Sequence, residues 1–281
     1  NKYDIIIIGA GITGLCIAHQ AKKKNKNVKI AIIEKELESG FHTSGRNSGV
    51  LHAGIYYQEN SLKASVCIKG ARRLKKWINE NDISINNCGK IIVAQNEKVA
   101  DQIEILMKRS AANGVVTEQL SKQQLNHLCP LINPNACGGI WSPNTAVVNP
   151  KEVINVLTQQ LSDNEVTFYY GGIISKFLPD KSSIILQENQ ILEYEYLFNC
   201  SGIFAEDIAK KYGVGYEYKV LPFKGLYWEL KNPSRFNINT NIYPVPDLSV
   251  PFLGVHFTPS AEAGSKIYIG PTATLAFGKE N

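Results

Sequence analysis

The feature that most constrains this chain is a glycine-rich turn placed directly between a buried strand and a helix. Residues 3–8 are dominated by isoleucine, which is typical of a strand buried on both faces of a parallel sheet. The turn at 9–14 reads G-A-G-I-T-G, and apolar residues then recur at helical spacing. A second apolar run at 28–33 ends on Glu34. The order strand, turn, helix, strand predicts a βαβ unit and therefore an α/β fold.

Each glycine of the turn has its own role in binding a dinucleotide. Gly9 permits the tight turn, Gly11 lets a pyrophosphate approach the backbone, and Gly14 lets the helix pack on the strand. The helix N-terminus then offers unpaired N–H groups to the phosphates. Glu34 lies 20 residues after Gly14, where a carboxylate can accept hydrogen bonds from a ribose. The pattern predicts a Rossmann-like dinucleotide-binding domain, with NAD and FAD both open at this point.

The composition excludes several other classes of protein. With 44% hydrophobic and 20% charged residues, the 281-residue chain is too apolar and too lightly charged for disorder. The six cysteines form no C-x-x-C pair and the five histidines no H-E-x-x-H motif, so we expect neither a metal site nor a disulfide scaffold. A reducing, cytoplasmic compartment fits this cysteine usage. The longest near-apolar run, 5–18, is too short to cross a bilayer, and no charged leader precedes it.

The net charge of +5 is unevenly distributed along the chain. The first 80 residues hold 14 Lys/Arg and 6 Asp/Glu, and part of the excess lies in a predicted helix over 61–80. The apolar face predicted for that helix consists of Leu62, Val66, Leu74, Trp77 and Ile78. A solvated basic face is the plainest interpretation, with anionic lipid as an alternative. Because no base-stacking motif accompanies the charge, we expect no nucleic-acid partner.

The rest of the chain alternates short predicted elements. The pattern predicts a strand over 89–94, a helix over 97–112, a helix starting at Pro150, several strands within 166–200 and antiparallel β-structure over 216–270. The segments 36–60 and 129–150 are interpreted as a long loop and an irregular stretch.

Two long strings carry a resemblance to a known family. Residues 42–57 read HTSGRNSGVLHAGIYY, and residues 242–247 and 251–258 read IYPVPD and PFLGVHFT. Together with the glycine turn and Ile33-Glu34-Lys35, these strings resemble the D-amino-acid-oxidase-like FAD flavoproteins. The first string is close to that of the L-2-hydroxyglutarate dehydrogenase/oxidase family. Residues 224–230 and 269–271 also fit, so the resemblance covers essentially the whole chain.

The resemblance implies FAD as the cofactor and oxidation of L-2-hydroxyglutarate to 2-oxoglutarate. It implies an α/β FAD-binding domain over 1–80 and 140–214, interleaved with an antiparallel β-sheet substrate domain over 81–139 and 215–281. Family members continue beyond residue 279, so a C-terminal part of the family fold is expected to be missing and the 281-residue chain to hold FAD weakly. Alternatives are another 2-hydroxy acid, glycerol-3-phosphate or amino acid as the substrate, or a non-catalytic flavoprotein fragment.

The cofactor contacts implied by the resemblance lie in five segments. The strand-end motif Asn199-Cys200-Ser201-Gly202 is similar to the A-T-G of this superfamily, and Ile174 is similar to the residue whose backbone meets the adenine. The expected FAD-binding residues are Gly9, Gly11, Ile12, Thr13, Gly14, Glu34, Lys35, Thr43, Ser44, Arg46, Asn47, Ser48, Ile174, Ser201 and Gly202.

The chemistry requires a base for the hydroxyl proton and donors for the substrate carboxylates. His52 and His256 lie within the two long strings, and a histidine suits the base, so they are the catalytic candidates. The candidate carboxylate-binding residues are Tyr57, Lys224 and Tyr243. The expected electron acceptor is oxygen or a membrane quinone, with the protein cytoplasmic or peripheral on the inner membrane.

Overall fold

The computed structural model describes residues 1–130, 132–232, 236, 238–246, 254–262 and 264–280. Asp247 and residues 251–253, which belong to the second string of the resemblance, lie outside the described residues. The chain divides into two compact units. The first unit comprises Asn1–Asn47, Pro150–Pro222 and Leu275–Asn281, and the second comprises Ser48–Asn149 and Phe223–Thr274.

The described elements follow one another in this order. The α-helices are α1 (Ile12–Lys24), α2 (Leu62–Glu80), α3 (Asp101–Ala112), α4 (Lys122–Leu128), α5 (Pro150–Asp163) and α6 (Ala205–Lys211). The strands are β1 (Lys2–Ile8), β2 (Ile30–Glu34), β3 (Val50–Leu51), β4 (Ile85–Asn86), β5 (Lys90–Ala94), β6 (Glu118–Ser121), β7 (Gly138–Ser142), β8 (Ala146–Val148), β9 (Thr167–Tyr170), β10 (Ile174–Leu178), β11 (Ser183–Leu186), β12 (Ile191–Asn199), β13 (Phe223–Lys224), β14 (Trp228–Glu229), β15 (Asn241–Pro244), β16 (His256–Pro259), β17 (Ile267–Gly270) and β18 (Thr274–Leu275). Short 3-10 helices cover Glu97–Val99, Pro179–Lys181, Gln187–Asn189 and Gly202–Phe204.

The first unit is built on a six-stranded sheet in the order β10-β11-β12-β1-β2-β9. β12, β1, β2 and β9 run parallel, and β10 and β11 continue the sheet as an antiparallel extension. Ile6, Ile7 and Ile32 are fully buried because helices and further strands cover a parallel sheet on both faces. α1 and α5 are neighbours in this unit. The predicted βαβ unit is thus present as β1-α1-β2.

The second unit contains a seven-stranded sheet in the order β14-β17-β16-β15-β5-β7-β6 and a three-stranded sheet in the order β3-β8-β4. Most neighbours in the larger sheet are antiparallel, as predicted, but β15 pairs with β5 in parallel, with Asn241 opposite Lys90 and Tyr243 opposite Ile92. One face packs against α3 through a core that includes Ile92, Ile103 and Leu106. Among the residues described, none of the helices has both the length and the hydropathy needed to cross a membrane.

The division into compact units differs from the predicted domain ranges. Residues 48–80 and 140–149 belong to the second unit, and 215–222 and 275–281 to the first. β3 and β4 both pair with β8, which ties 50–51, 85–86 and 146–148 into one sheet. Ile68 of α2 packs against the core of the second unit.

Two predictions about local structure are correct only in part, although Ile78 lies on the buried side of α2 as predicted. The buried side of α2 carries Ala64 and Ile78, whereas Leu62 is 80% and Val66 59% exposed. The buried face begins at Ala64 and repeats at i+4 and i+7. Positions 62 and 66 are each two residues from Ala64, about 200° of helix rotation, so they lie on the opposite side of the helix. The stretch 129–150 is not irregular throughout, since it contains β7 and β8.

Candidate functional site

The glycine turn of the first unit lies against the end of β12. Gly9 has φ +105°, and a Cβ built there would lie 2.4 Å from the carbonyl oxygen of Cys200. A Cβ at Gly14 would lie 2.1 Å from the carbonyl oxygen of Gly9, so helix α1 starts in contact with the turn. Only glycine fits either position without moving backbone. The chain therefore brings the turn, the N-terminus of α1 and the motif at 199–202 together.

Glu34 at the end of β2 holds the turn from the other side. Glu34 is 9% exposed, and its carboxylate accepts two backbone hydrogen bonds, each 2.9 Å long, from the N–H groups of Ala10 and Glu36. Each carboxylate oxygen can accept a further hydrogen bond. Glu34 is therefore fixed beside the glycine turn with capacity left for a ribose hydroxyl.

The polar loop that follows β2 caps the N-terminus of α1. Ser44 Oγ accepts a 3.0 Å hydrogen bond from the N–H of Ile12. Asn47 Nδ2 donates to the carbonyls of Thr43 at 3.0 Å and Ser44 at 2.8 Å, which closes the loop on itself. The guanidinium of Arg46 lies 4.3 Å from the centre of the Phe41 ring. These contacts order the loop at the positive end of the helix dipole.

The remaining predicted cofactor residues lie in separate places. Lys35 is paired with Glu36 at 2.6 Å and with Glu280. Ser201 Oγ donates to Asn199 Oδ1 at 2.6 Å, and Gly202 is exposed with φ +58°. Thr13 and Thr43 are exposed. Ile174 opens β10 and packs against the core of the first unit, and Ser48 belongs to the second unit and is half-buried.

The first unit thus fits a dinucleotide. The N-cap residue of α1 is Gly11, which has no side chain to cap the helix, and the first turn of α1 carries no acidic residue. Its terminal N–H groups and positive dipole end suit a pyrophosphate, and Glu34 suits the ribose. The loop around Ser44 supplies further polar groups. The residues that would hold the cofactor are therefore Gly9–Gly14, Glu34 and the loop 43–47.

Four side chains of the second unit form a buried His–Lys cluster, defined here as His52, Lys90, Tyr243 and His256. Lys90 and Tyr243 share one face of the sheet because Asn241 pairs with Lys90 and side chains alternate along β15. Ile242 pairs with Phe257, which places His256 on the same face as Tyr243. His52 follows β3 and joins them from the adjacent segment. Sheet register therefore brings residues from distant parts of the chain together.

The four side chains of the cluster are in close contact with one another. Lys90 Nζ lies 3.1 Å from His52 Nδ1 and 4.0 Å from the centre of the Tyr243 ring. The rings of Tyr243 and His256 stack at 3.7 Å with an interplanar angle of 14°. His256 Nδ1 donates to the carbonyl of Gly254 at 2.8 Å, so its proton is on Nδ1. Lys90 and Tyr243 are each 1% exposed and His256 is 4% exposed, whereas His52 is half-buried.

Burial changes the acid–base properties of the cluster. The pKa of His52 is lowered well below its ordinary value by burial and then by Lys90 and His256. Burial also lowers the pKa of His256 to about 4, although its hydrogen bond to Gly254 acts in the opposite direction. The pKa of Lys90 is lowered from 10.5 to about 7, again by burial. Both histidines are therefore neutral at pH 7, and Lys90 can exist with or without its proton.

The structure brings together three of the five predicted catalytic and substrate residues. Tyr57 is half-buried beside the cluster, with Lys63 Nζ 5.0 Å from its ring centre, and it lines a narrow pocket formed by 52–57 and Lys90. Lys224 is exposed on β13 and makes none of the ring and hydrogen-bond contacts described for the cluster.

Sequence reasoning missed Lys90, Tyr56 and Asn241. The hydroxyl of Tyr56 and Oδ1 of Asn241 are buried without a hydrogen-bond partner among the described residues. Lys90 opens the apolar strand KIIVA, and this lone charge before a fully buried run was an available signal. Tyr56 lay inside the first string of the resemblance, but its sequence did not distinguish it from Tyr57.

The glycine turn with Glu34 defines the first unit as a dinucleotide-binding α/β domain. The chain belongs to the FAD dependent oxidoreductase family, which matches residues 4–281. The expected resemblance and the expectation of FAD are thereby confirmed.

Curated relatives point to one subgroup of that family. The chain is 35% identical over 280 residues to an L-2-hydroxyglutarate dehydrogenase of Escherichia coli, covering 99% of this chain and 65% of that protein. It is 36% identical over 296 residues to a mitochondrial L-2-hydroxyglutarate dehydrogenase of Dictyostelium discoideum, covering 99% and 66%. The chain thus spans about 65% of the length of the curated relatives it matches.

Solved structures confirm the predicted fold class. An L-alpha-glycerophosphate oxidase from Mycoplasma pneumoniae with FAD bound is similar with a TM-score of 0.85 at 23% identity, covering 100% of this chain and 73% of that chain. A glycine oxidase from Geobacillus kaustophilus is similar with a TM-score of 0.81 at 20% identity, covering 99% and 73%. At these identities the likeness concerns the fold alone.

Proposed function

We propose that the protein oxidises L-2-hydroxyglutarate to 2-oxoglutarate with FAD as the electron acceptor of the first half-reaction. The observation that carries this proposal is the buried His–Lys cluster, in which two histidines of the most specific strings meet a lysine and a tyrosine. Two relatives that are 35% and 36% identical and named L-2-hydroxyglutarate dehydrogenase support the substrate.

The first unit would hold the cofactor through Gly9–Gly14, Glu34 and the loop 43–47. A bound FAD would supply the acceptor for the hydride of the substrate Cα. The protein then has to bind two carboxylates, orient the Cα–H bond and remove the hydroxyl proton. Tyr57, which lines the pocket, is the proposed carboxylate donor, whereas Tyr243, which is 1% exposed, and Lys224, which is exposed on β13, stay predictions.

His52 is the better candidate for the proton acceptor. Both histidines are neutral at pH 7 because burial lowers their pKa values, so each has a ring nitrogen with a free lone pair. His256 is 4% exposed and stacked on Tyr243, whereas His52 is half-buried and lines the pocket. His52 is therefore the base, and His256 orients the Tyr243 ring.

Turnover of a substrate panel by the full-length protein tests this function. L-2-Hydroxyglutarate, D-2-hydroxyglutarate, L-lactate, glycerol-3-phosphate and glycine are each supplied with an artificial electron acceptor, and products are identified by mass spectrometry. We expect 2-oxoglutarate from the L-enantiomer with the highest kcat/KM. A higher kcat/KM for glycerol-3-phosphate or glycine would assign another reaction of the family to this protein.

We propose oxygen or a membrane quinone as the final electron acceptor, and the exposed face of α2 favours the quinone. Leu62 and Val66 are exposed at the N-terminal end of that face. The exposed basic residues of the same helix are Lys63, Lys69, Arg72, Arg73 and Lys76. Apolar side chains beside a basic cluster suit the surface of an anionic membrane.

Co-sedimentation with vesicles tests this surface. The protein should bind phosphatidylglycerol vesicles and not phosphatidylcholine vesicles, and Arg72→Glu should weaken the binding. Lys108→Glu, on the exposed side of α3, is the matched control and should bind normally. Equal binding by Arg72→Glu would rule out α2 as the contact, and rapid oxygen consumption without vesicles would favour oxygen.

A further inference from the structure

Lys90 is almost completely buried by the side chains around it. Its side chain is 1% exposed, and its Nζ lies 3.1 Å from His52 Nδ1, 4.0 Å from the centre of the Tyr243 ring and 5.2 Å from that of Tyr56. Both residues of the hydrogen-bonded pair line the pocket, but His52 is half-buried whereas Lys90 is 1% exposed. Because Lys90 is the more buried of the two and lies within hydrogen-bond distance of His52, it is placed to act on a bound molecule through His52.

The charge of Lys90 is not compensated by an acid. In the described part of the chain, no carboxylate forms an ion pair with it. The titratable groups that face it are His52, Tyr56 and Tyr243 by contact, and Cys67, Cys88 and His256 by longer-range interaction. Burial lowers the pKa of Lys90 to about 7, although Cys67 and Cys88 act in the opposite direction. An amine in this setting is readily neutral.

The protonation state of Lys90 decides which nitrogen of His52 carries the proton. An ammonium has three donors and no acceptor, so it can only donate to His52 Nδ1, and the histidine proton is then on Nε2. A neutral amine has a lone pair and can accept from Nδ1–H. In that second state Nε2 is unprotonated and able to take a proton from a substrate.

We propose that Lys90 is a positioning residue for His52: as a neutral amine it accepts a hydrogen bond from Nδ1–H and leaves Nε2 as the base. This inference rests on the proposed function, because it assigns the base of that reaction. It extends that function by naming where the substrate proton goes after His52 has taken it.

His52 and Lys90 together account for every proton that moves in this step. With a bound FAD that would accept the hydride of Cα, the C–O bond would become a double bond and the hydroxyl proton of the substrate would move to His52 Nε2. His52 passes its Nδ1 proton to the amine of Lys90, which becomes an ammonium. The imidazole ends neutral, and a later exchange with solvent through the same pair returns Lys90 to its amine.

Nitrogen NMR of the histidine rings tests the inference without substrate or turnover. The full-length protein is labelled with 15N in histidine, and His52 is assigned by the loss of its signals in His52→Gln. We expect the proton of His52 to move from Nε2 to Nδ1 as the pH rises from about 6 to about 8. A single His52 tautomer throughout this range would overturn the proposal from the wild-type protein alone.

Two variants and a control sharpen the test. In Lys90→Met the tautomer should no longer change between pH 6 and 8, whereas in Lys69→Met, which alters an exposed lysine of α2, it should change as in the wild type. If Lys90→Met does not fold, Lys90→Gln replaces it, since its amide has no titration in this range. If the His52 tautomer changes with pH in a folded Lys90 variant as it does in the wild type, another group causes the change and the proposal is refuted.

The pH dependence of turnover separates this inference from the proposed function. In Lys90→Met, kcat at pH 8 should fall by about 10²-fold or more, as when a general base is held in the wrong tautomer, with KM changed much less. The rise of wild-type kcat with an apparent pKa near 7 should also disappear. A normal tautomer change without oxidation of L-2-hydroxyglutarate would refute the proposed substrate and leave the Lys90–His52 pair intact.

Discussion

Replacing Lys90 by methionine should make the second unit more stable, and the gain should shrink as the pH rises. Lys90 is 1% exposed and forms no ion pair with a described carboxylate, so its charged form is held in the protein without a compensating charge. Methionine has a similar length and no charge to bury. A residue kept for stability would show the opposite effect.

The magnitude follows from the pKa of Lys90. Burial lowers this pKa from 10.5 to about 7. At 1.36 kcal/mol for each pKa unit, the charged form costs about 5 kcal/mol of unfolding free energy. Below about pH 7 the folded and unfolded chains are both protonated at Lys90, so the full cost is present. Between about 7 and 10.5 only the unfolded chain holds the proton, and the wild-type protein gains up to about 1.4 kcal/mol for each pH unit.

Urea unfolding followed by tryptophan fluorescence measures this difference. All three tryptophans, Trp77, Trp141 and Trp228, belong to the second unit. We expect Lys90→Met to exceed the wild type by about 5 kcal/mol at pH 6 and by about 3 kcal/mol at pH 8.5. Lys69→Met is the control, because lysine and methionine have similar helix propensities on an exposed face.

The pH dependence of the difference, rather than its absolute value, decides the result. A packing defect at methionine changes the stability equally at both pH values. If the difference between Lys90→Met and the wild type is the same at pH 6 and pH 8.5, Lys90 is charged throughout and the account of the buried His–Lys cluster is wrong.

Three further substitutions probe the two units. Gly11→Val should abolish FAD binding with an unchanged circular dichroism spectrum, since even a Cβ at Gly11 lies 3.1 Å from Ser44 Oγ and a larger side chain fills the space of the pyrophosphate; stoichiometric flavin in the purified variant would contradict this. Glu34→Gln should raise the Kd for FAD by about 10-fold, measured by calorimetry, because a charged acceptor for the ribose becomes neutral; an unchanged Kd would exclude that contact. His52→Gln should slow flavin reduction by about 10² to 10⁴-fold while FAD stays bound, and a parental rate would transfer the role of base to His256.

The sequence alone predicted the parts of the site that lie within one local pattern. The turn at 9–14 and Glu34 belong to one βαβ unit, whose spacing determines its geometry. The structure adds that Glu34 accepts the N–H of Ala10, a contact between the two ends of that unit. A contact within one βαβ unit can be predicted from its local sequence pattern, because that pattern allows few alternative chain arrangements.

The buried His–Lys cluster could not be predicted in the same way. Lys90 meets Tyr243 because β5 pairs in parallel with β15, about 150 residues later in the chain. The residue pattern within either strand does not reveal which strand it pairs with. Lys90 was therefore not predicted as a site residue, although it precedes a buried run. Non-local strand register, rather than residue type, creates the site.

The strands missed within 129–150 have a related physical cause. A Cβ at Gly139 would lie 2.7 Å from the carbonyl oxygen of Ile92, so the backbone of β7 approaches β5 too closely for a side chain. Gly138-Gly139 therefore belongs to a strand where two backbones are in contact, but in the sequence the pair indicates a turn. A glycine pair is found both in turns and in strands with close backbone contacts, and only the position of the neighbouring strand distinguishes the two structures.

Anaerobic stopped-flow mixing of the full-length, FAD-loaded protein with L-2-hydroxyglutarate tests whether this substrate reduces the flavin. We predict complete loss of the visible absorbance of oxidised flavin, one equivalent of 2-oxoglutarate, and a slower reaction when deuterium replaces hydrogen at Cα. D-2-Hydroxyglutarate should leave the flavin oxidised under the same conditions. Flavin that stays oxidised with L-2-hydroxyglutarate but is reduced by glycerol-3-phosphate or glycine would contradict the account.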